Sequence, residues 1–203
     1  MPLIWHGDDA ESHRRRAFIV NSFSSLLVSN TQPWESRYVC YCLDSAKTID
    51  ETLDGIDTWI VWSLTELMHG RYLGHGPHSE PVECRKGMDG QQLANGYRAI
   101  LVCHRGDEKY LQRAYHVNGV GWQSKQCCWT CKASRVPTSP YLYTHFGRHA
   151  PHRQSMIDTP SFIASCRANA WVRLPGWHVE VLTYDILHVF DLSLVCDAAA
   201  SVS

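Results

Sequence analysis

The chain has 203 residues, of which 44% are hydrophobic and 19% charged, and its formal net charge at pH 7 is −1. This length and composition are typical of one globular domain with its own core, or of one domain with an insertion. The near-neutral charge argues against tight, sequence-independent binding of nucleic acid, because proteins that bind in that way usually carry a basic surplus.

Targeting signals are not apparent in the sequence. No run reaches the roughly 18 uninterrupted apolar residues that a membrane-spanning helix needs. The segment Met1–Asp9 lacks the basic start and apolar stretch of a signal peptide. We therefore expect a protein that is not secreted, does not cross a membrane, and resides in the nucleus or elsewhere inside the cell.

Residues 1–118 are expected to fold as strand, strand, strand, helix, strand, helix. Runs rich in β-branched and aromatic residues, bounded by turn residues, predict strands at Leu3–Trp5, Ala17–Val28, Arg37–Leu43 and Tyr97–His104. Cys40 and Cys42 alternate in the third strand, which predicts that one buried side holds both thiols.

The clearest helix lies between the third and fourth strands. Apolar residues recur at steps of three and four from Ile49 to Met68, which indicates one apolar stripe. Thr48 and Glu51 predict a capping box at its start, and Gly70 predicts its end. A second helix is expected from Asp107 to Tyr115.

The rest of the chain divides into two parts. Residues 119–178 form an irregular, proline-interrupted segment rich in cysteine and histidine, and residues 179–203 predict a helix over Glu180–Ala200. The whole order predicts an α/β fold with a ribonuclease-H-like mixed sheet, helices, and an irregular insertion. In that plan a carboxylate on the first strand lies beside one at the end of the fourth. Two such carboxylates can hold two Mg²⁺ or Mn²⁺ ions roughly 3.5–4 Å apart.

Asp107 and Asp8 are the candidate carboxylates. Asp107 follows a central apolar strand and a glycine, at the carboxyl end where the sites of α/β proteins gather. Its alternative role is to cap the following helix. Asp8 follows Gly7 at the end of the first strand, with a solvated turn as the alternative. Asp44, after the third strand, competes with Asp8.

Cys128 and Cys131 have the spacing of a zinc knuckle. A tetrahedral Zn²⁺ site needs two more ligands, for which we choose His145 and His149. Other residues could replace these four, namely Cys127 and His152. The alternative is a solvated loop that merely contains many histidines.

Asp185 and His188 stand three residues apart in the predicted last helix, so both would point the same way. An ordinary polar helix face is the alternative. With Asp8 and Asp107, they complete the set of candidate catalytic residues.

Three segments resemble those of En/Spm (CACTA) superfamily transposases. Gly106-Asp107-Glu108, followed by Gly121–Cys131, resembles the second catalytic aspartate of that family and the cysteine knuckle after it. Tyr143–Arg153 is similar to the family's histidine- and arginine-rich segment. Leu182–Asp197 is similar to the helix that carries the family's Asp-x-x-His signature.

The resemblance implies a DDE-type transposase that binds Mg²⁺, cuts DNA at transposon ends and joins the freed 3′-hydroxyl to target DNA. Asp8 and Asp107 would bind the metal, Zn²⁺ would hold the insertion in place, and His188 would position a DNA strand or a neighbouring acid. The family places a final glutamate after its signature, whereas this chain ends at Ser203. We therefore expect a transposase fragment that lacks its third carboxylate unless Asp185 or Asp191 supplies it.

A second function is compatible with the same residues. The chain could be a non-catalytic, zinc-stabilised module that binds nucleic acid or another protein, domesticated or decayed from a transposase. An enzyme with Cys128 as nucleophile is a weaker alternative, because no oxyanion or elbow motif accompanies it. A homo-oligomer is compatible with either function.

Overall fold

A five-stranded mixed sheet lies at the centre of the computed structural model, which describes residues 1–11, 17–28, 33–117, 119–121, 124–166 and 169–184. The strands are β1 (Pro2–Glu11), β2 (Ala17–Ser25), β3 (Arg37–Asp44), β4 (Ile100–Gly106) and β5 (Leu182–Tyr184). Their spatial order is β3-β2-β1-β4-β5. The first three strands pair antiparallel, whereas β4 runs parallel to β1 and β5 runs parallel to β4.

The helices of the described residues differ greatly in length. They are α1 (Pro33–Ser36), α2 (Asp50–His69), α3 (Glu108–Tyr115), α4 (Pro151–Gln154) and α5 (Thr159–Ser165). Both α2 and α3 pack on the face of the sheet that carries Leu3, Trp5 and Gly7. Within the described residues, no helix is both long and apolar enough to cross a membrane.

The predicted α/β class is confirmed, and so are the three opening strands, the long helix and the fourth strand. A fifth strand was missed. Leu182–Tyr184 forms β5, where the sequence predicted the start of a helix, because it pairs with β4 from His104 to Gly106. Such pairing between distant segments overrides local helical periodicity. Residues 185–203 lie outside the described part of the chain.

The capping box predicted at the start of α2 is wrong. The helix begins after Ile49, whose side chain cannot cap, and the Thr48 hydroxyl instead donates to the Asp44 carbonyl at 2.8 Å. Asp50 and Glu51 in the first turn favour the helix through its dipole. The predicted end is confirmed, since Gly70 adopts φ 67° as the left-handed cap.

The irregular segment contributes to the same core as the sheet. Its buried residues form one hydrophobic cluster with Leu3, Trp5 and Leu101 of the strands: Trp129, Phe162, Trp171, Leu174 and Trp177. Several of these rings are completely buried, as Trp171 and Phe162 are both 0% exposed. The stability of the sheet therefore depends on residues 119–178.

The prediction that Cys40 and Cys42 share a buried side is wrong. Both are exposed, because β3 is the edge strand of the sheet and because a β-bulge at Cys40 interrupts the alternation. The pairing Asn21 with Tyr41 and Ser22 with Val39 leaves Cys40 as the extra residue.

A chain of buried hydrogen bonds joins α3 to β1, β2 and β4. The Trp5 indole N–H and the Tyr110 hydroxyl both donate to Asn21 Oδ1, at 2.8 and 2.7 Å. His104 Nε2 lies 2.9 Å from the Tyr110 hydroxyl and His104 Nδ1 lies 2.7 Å from the Tyr115 hydroxyl. Burial, followed by the nearby His6, lowers the pKa of His104 to about 3, so its imidazole is neutral.

The proton positions in this chain follow from the number of donors on each group. Tyr110 has one hydroxyl proton and gives it to Asn21, so it must accept from His104 Nε2–H. The unprotonated Nδ1 of His104 then accepts from Tyr115, whose oxygen in turn accepts the Trp177 indole N–H at 3.2 Å. From Trp177 to Asn21 every donor therefore points along one direction, and His104 is the Nε2–H tautomer.

Asp57 of α2 is a buried carboxylate outside that chain. It is 6% exposed, and its Oδ2 accepts the Trp171 indole N–H at 2.8 Å, whereas Oδ1 has no partner among the described residues. Burial raises the pKa of Asp57 from 3.8 to about 7; nearby Asp54 also raises it, and the Trp171 hydrogen bond opposes the shift. This contact joins α2 to the irregular segment.

Replacing Tyr110 by Phe removes the acceptor for His104 Nε2–H and one donor to Asn21. A buried polar group without a partner costs roughly 1–3 kcal/mol, so we expect the free energy of unfolding in urea to fall by that amount. Tyr97→Phe changes a side chain that is 79% exposed and is the control. It should change the free energy of unfolding by less than about 0.5 kcal/mol. Equal effects of the two changes would contradict the assigned network.

Asp57 should make the protein less stable as the pH rises. The folded state keeps a proton that the unfolded state releases, so the free energy of unfolding is highest below pH 3.8 and falls until about pH 7. Between pH 5 and 8 the loss should be roughly 2–3 kcal/mol. In urea titrations, Asp57→Asn should remove this loss and Asp89→Asn, at an exposed position, should keep it. An unchanged pH dependence in Asp57→Asn would refute the assignment.

Candidate carboxylate pair and cysteine knuckle

Asp8 and Asp107 follow paired residues on two adjacent parallel strands. Gly7 of β1 pairs with Gly106 of β4, and each aspartate is the next residue along its strand direction. Asp107 has extended backbone angles, φ −67° and ψ 168°, and so continues the direction of β4. Because neighbouring strands are about 4.8 Å apart, the backbones that lead into the two aspartates are adjacent at Gly7 and Gly106.

The two glycines that precede the aspartates have a packing function. The Tyr110 ring lies directly on them, and a Cβ at either Gly7 or Gly106 would overlap its carbon atoms. This contact brings α3 close to the sheet, and the hydroxyl of the same ring reaches Asn21. Since strand residues alternate between faces, Asp8 lies on the opposite face from Tyr110. Asp107 follows the last paired residue of β4, and its carboxylate is bonded to the first turn of α3.

Asp107 is also a helix cap. Its carboxylate accepts the Tyr110 backbone N–H at 2.6 Å, so the alternative role considered from the sequence is present in the structure. Capping requires one carboxylate oxygen and leaves the second available for another ligand. A capping role and a metal-binding role for Asp107 are therefore compatible.

Asp8 lies within a strand, contrary to the expected turn. β1 continues to Glu11, and Asp8 pairs with Val20 of β2. Its competitor Asp44 ends β3, which two strands separate from β4, and accepts the Ala46 N–H at 3.1 Å. Of the two, only Asp8 lies on a strand adjacent to β4.

Basic side chains lie near the ends of the same two strands. His6 and Arg105 pair with each other in the register of β1 and β4, one step before the glycines, and the alternation of the strands puts them on the face of Asp8. His6 is 8% exposed and Arg105 is half-buried. The strand ends thus combine two acids with two basic groups, an arrangement suited to binding both a cation and an anion such as phosphate.

Asp185 and His188 lie outside the described residues. The strand before them ends at Tyr184, which pairs with Gly106 of β4. The carboxyl end of β5 is therefore at the same end of the sheet as the carboxyl end of β4, which Asp107 follows.

Cys128 and Cys131 come together in a tight knuckle. The Gln126 amide donates to the carbonyls of both cysteines, at 3.0 and 3.2 Å, and the Cys127 N–H donates to the Ala133 carbonyl at 3.0 Å. Burial, and then a hydrogen bond with the Cys128 thiol, raises the pKa of Cys131 to about 12. The Cys131 thiol is therefore protonated at neutral pH.

The histidines chosen as further zinc ligands are not gathered at this knuckle. His145 and His149 are both exposed, and the described residues hold no group of three or more potential ligands arranged to bind a metal. His152 belongs to the segment that contacts the knuckle, since the Ser155 hydroxyl accepts the Lys132 N–H at 2.9 Å. The described part of the chain thus supplies two thiols, which is half of a tetrahedral site.

Sequence reasoning missed Tyr110 and Arg105. The signal for Tyr110 was the occurrence of a glycine directly before each candidate aspartate, because paired glycines on adjacent strands leave room for a large side chain. Arg105 was visible only as a charged residue in an otherwise apolar strand.

Comparisons with known proteins give no family for this chain. No protein-family model matches it, and no curated protein or solved structure shows significant similarity to it.

Proposed function

We propose that this chain is the ribonuclease-H-like core of a DDE-type transposase, or a fragment of one, which cuts and transfers DNA strands with a divalent metal. The observation that carries the proposal is the register of β1 and β4, in which Asp8 and Asp107 follow the paired glycines Gly7 and Gly106. The strand order β3-β2-β1-β4-β5 and the long helix between β3 and β4 also support it.

The two carboxylates would hold Mg²⁺ or Mn²⁺, which when bound stabilises charge on the attacking and leaving oxygens of a phosphodiester. Asp8 would contribute from within a rigid, doubly paired strand, because β1 lies between β2 and β4. Asp107 would contribute from the junction of β4 and α3, which the Tyr110 contact holds in place. Arg105 would attract the phosphate of the DNA strand to the same end of the sheet. If this chain supplies a third carboxylate, Asp185, which follows Tyr184 in the sequence, and Asp191 are the candidates for it.

Metal binding gives a test that does not depend on strand cleavage. We expect wild-type protein to bind Mn²⁺ in calorimetry, and Asp8→Asn and Asp107→Asn each to weaken binding at least tenfold, because each removes a charged ligand. Asp158→Asn is a matched control, since Asp158 also caps a helix, accepting the Ser161 N–H at 2.9 Å, and asparagine keeps a cap. Asp185→Asn tests the third position in the same assay.

The same variants should lose Mn²⁺-dependent nicking of supercoiled plasmid if the wild type shows it. Wild-type protein without Mn²⁺ affinity, or unchanged affinity in Asp8→Asn and Asp107→Asn, would contradict the carboxylate site.

A zinc-stabilised, non-catalytic interaction module is the second candidate function. The knuckle from Cys128 to Cys131, in which the Gln126 amide binds the carbonyls of both cysteines, favours it. Zn²⁺ would displace the thiol protons on binding, so its affinity would increase with pH. The two functions are compatible in one protein, because the knuckle and the carboxylates belong to different segments.

Purified protein should contain about one Zn²⁺ per chain by elemental analysis if the knuckle is a zinc site. Cys131→Ser should remove the metal and lower the melting temperature, whereas Cys84→Ser, at an exposed cysteine elsewhere, should leave both unchanged. His145→Ala and His149→Ala then show whether either histidine is a ligand. Zinc-free wild-type protein, or Cys131→Ser with full zinc content, would rule out the knuckle site.

A further inference from the structure

The outer edge of β3 is open. This strand ends the sheet, and within the described residues no other strand pairs with its outer side. Tyr38 is 59% exposed and Val39 is 63% exposed, and both Cys40 and Cys42 are exposed. An exposed apolar edge strand is a template on which another strand can pair.

The interior of β3 carries none of the charged or proline residues that usually protect such an edge. From Tyr38 to Leu43 every side chain is uncharged, and the only charged residues are Arg37 at the start and Asp44 at the end. When two copies of this strand pair antiparallel, the start of each strand lies opposite the end of the other. The positive start of one copy then lies opposite the negative end of the second copy, at both ends of the pair.

The β-bulge at Cys40 makes this self-pairing consistent with the faces of the sheet. Pairing Arg37 with Asp44 of a second copy also pairs Tyr38 with Leu43, and Val39 with Cys42. In a regular strand, odd-numbered and even-numbered residues lie on opposite faces of the sheet. Each of these pairs joins an odd-numbered residue to an even-numbered one, so in a regular strand its two members would lie on opposite faces. The extra residue shifts the second half of β3 by one, so Tyr38 and Leu43 share the helix-covered face through their partners Phe23 and Ile19.

An apolar groove lies beside the same edge. It has a volume of about 470 Å³ and lies between α2 and the first three strands. Cys40 and Tyr41 contribute from β3, and Ile56, Trp59 and Ile60 contribute from α2, with Trp59 44% exposed. A strand added along β3 would extend the sheet on the groove side and cover part of this apolar surface.

We propose that β3 is the contact strand of a two-fold homodimer, in which the β3 strands of two copies pair antiparallel with Arg37 opposite the partner's Asp44. A two-fold axis makes both copies use the same surface, and an antiparallel pair of identical strands has that symmetry. A contact limited to one strand and its flanking side chains buries less than the roughly 1,200 Å² typical of stable complexes. The dimer is therefore weak and depends on concentration.

Sedimentation velocity over a concentration series, in reducing buffer that keeps Cys40 and Cys42 from cross-linking, is the experiment. We expect wild-type protein to shift from monomer to dimer as its concentration rises. Arg37→Asp and Asp44→Lys should each weaken the dimer at least tenfold, because each places like charges opposite one another at both ends of the strand pair. Arg148→Asp, at an exposed arginine elsewhere, is the control for the change in net charge.

Mixing the two charge variants distinguishes the proposed register from a general loss of folding. Arg37→Asp protein and Asp44→Lys protein have complementary ends toward each other, so an equimolar mixture should dimerise although each variant alone does not. If Asp44→Lys fails to fold, Val39→Lys replaces it as the variant that should remain monomeric.

Three results would overturn the proposal. They are wild-type protein that stays monomeric at all concentrations, a dimer that persists in Val39→Lys, and a charge-variant mixture of folded proteins that does not associate. Dimerisation is measured without metal or DNA, so its outcome is independent of the carboxylate pair.

Discussion

The contact of the Tyr110 ring with Gly7 and Gly106 is the constraint on which the rest of the structure depends. It requires glycine on both strands, it sets how closely α3 approaches the sheet, and it fixes where the chain turns from β4 into the helix. The hydroxyl of the same ring belongs to the chain of hydrogen bonds through Asn21 and His104. One side chain thereby joins β1, β2 and β4 to α3 and determines where Asp107 lies.

This constraint connects stability with the candidate chemistry. The paired glycines lie on the face toward Tyr110, and each is followed directly by a candidate carboxylate, Asp8 or Asp107. The tightly packed ring thus fixes the two adjacent backbones that carry these aspartates, so that a metal would meet ligands that need little rearrangement. Fixed ligands of this kind are what a metal-dependent phosphoryl-transfer site requires.

Local signals in the sequence were sufficient for some elements and not for others. The apolar periodicity of α2, the Gly70 cap and the capping aspartate of α3 depend on near neighbours, and all were predictable. β5 depends on pairing with β4, about 80 residues away, and the exposure of Cys40 depends on β3 being an edge strand. Such relations are set by the whole fold. For the candidate site, the sequence indicates Asp8 and Asp107 by their positions after strands, and Cys128 and Cys131 by their spacing. These assignments stay predictions, whereas the packing of Tyr110 on Gly7 and Gly106 is visible only in the fold.

The central claim is that Asp8 and Asp107 together form one metal site. A crystal structure of the protein soaked in Mn²⁺, with anomalous scattering measured at the manganese edge, tests it most directly. The account predicts an anomalous peak at the carboxyl end of β4, beside β1, in contact with carboxylate oxygens of both aspartates. A peak that touches neither aspartate, or no peak at saturating Mn²⁺, would contradict it.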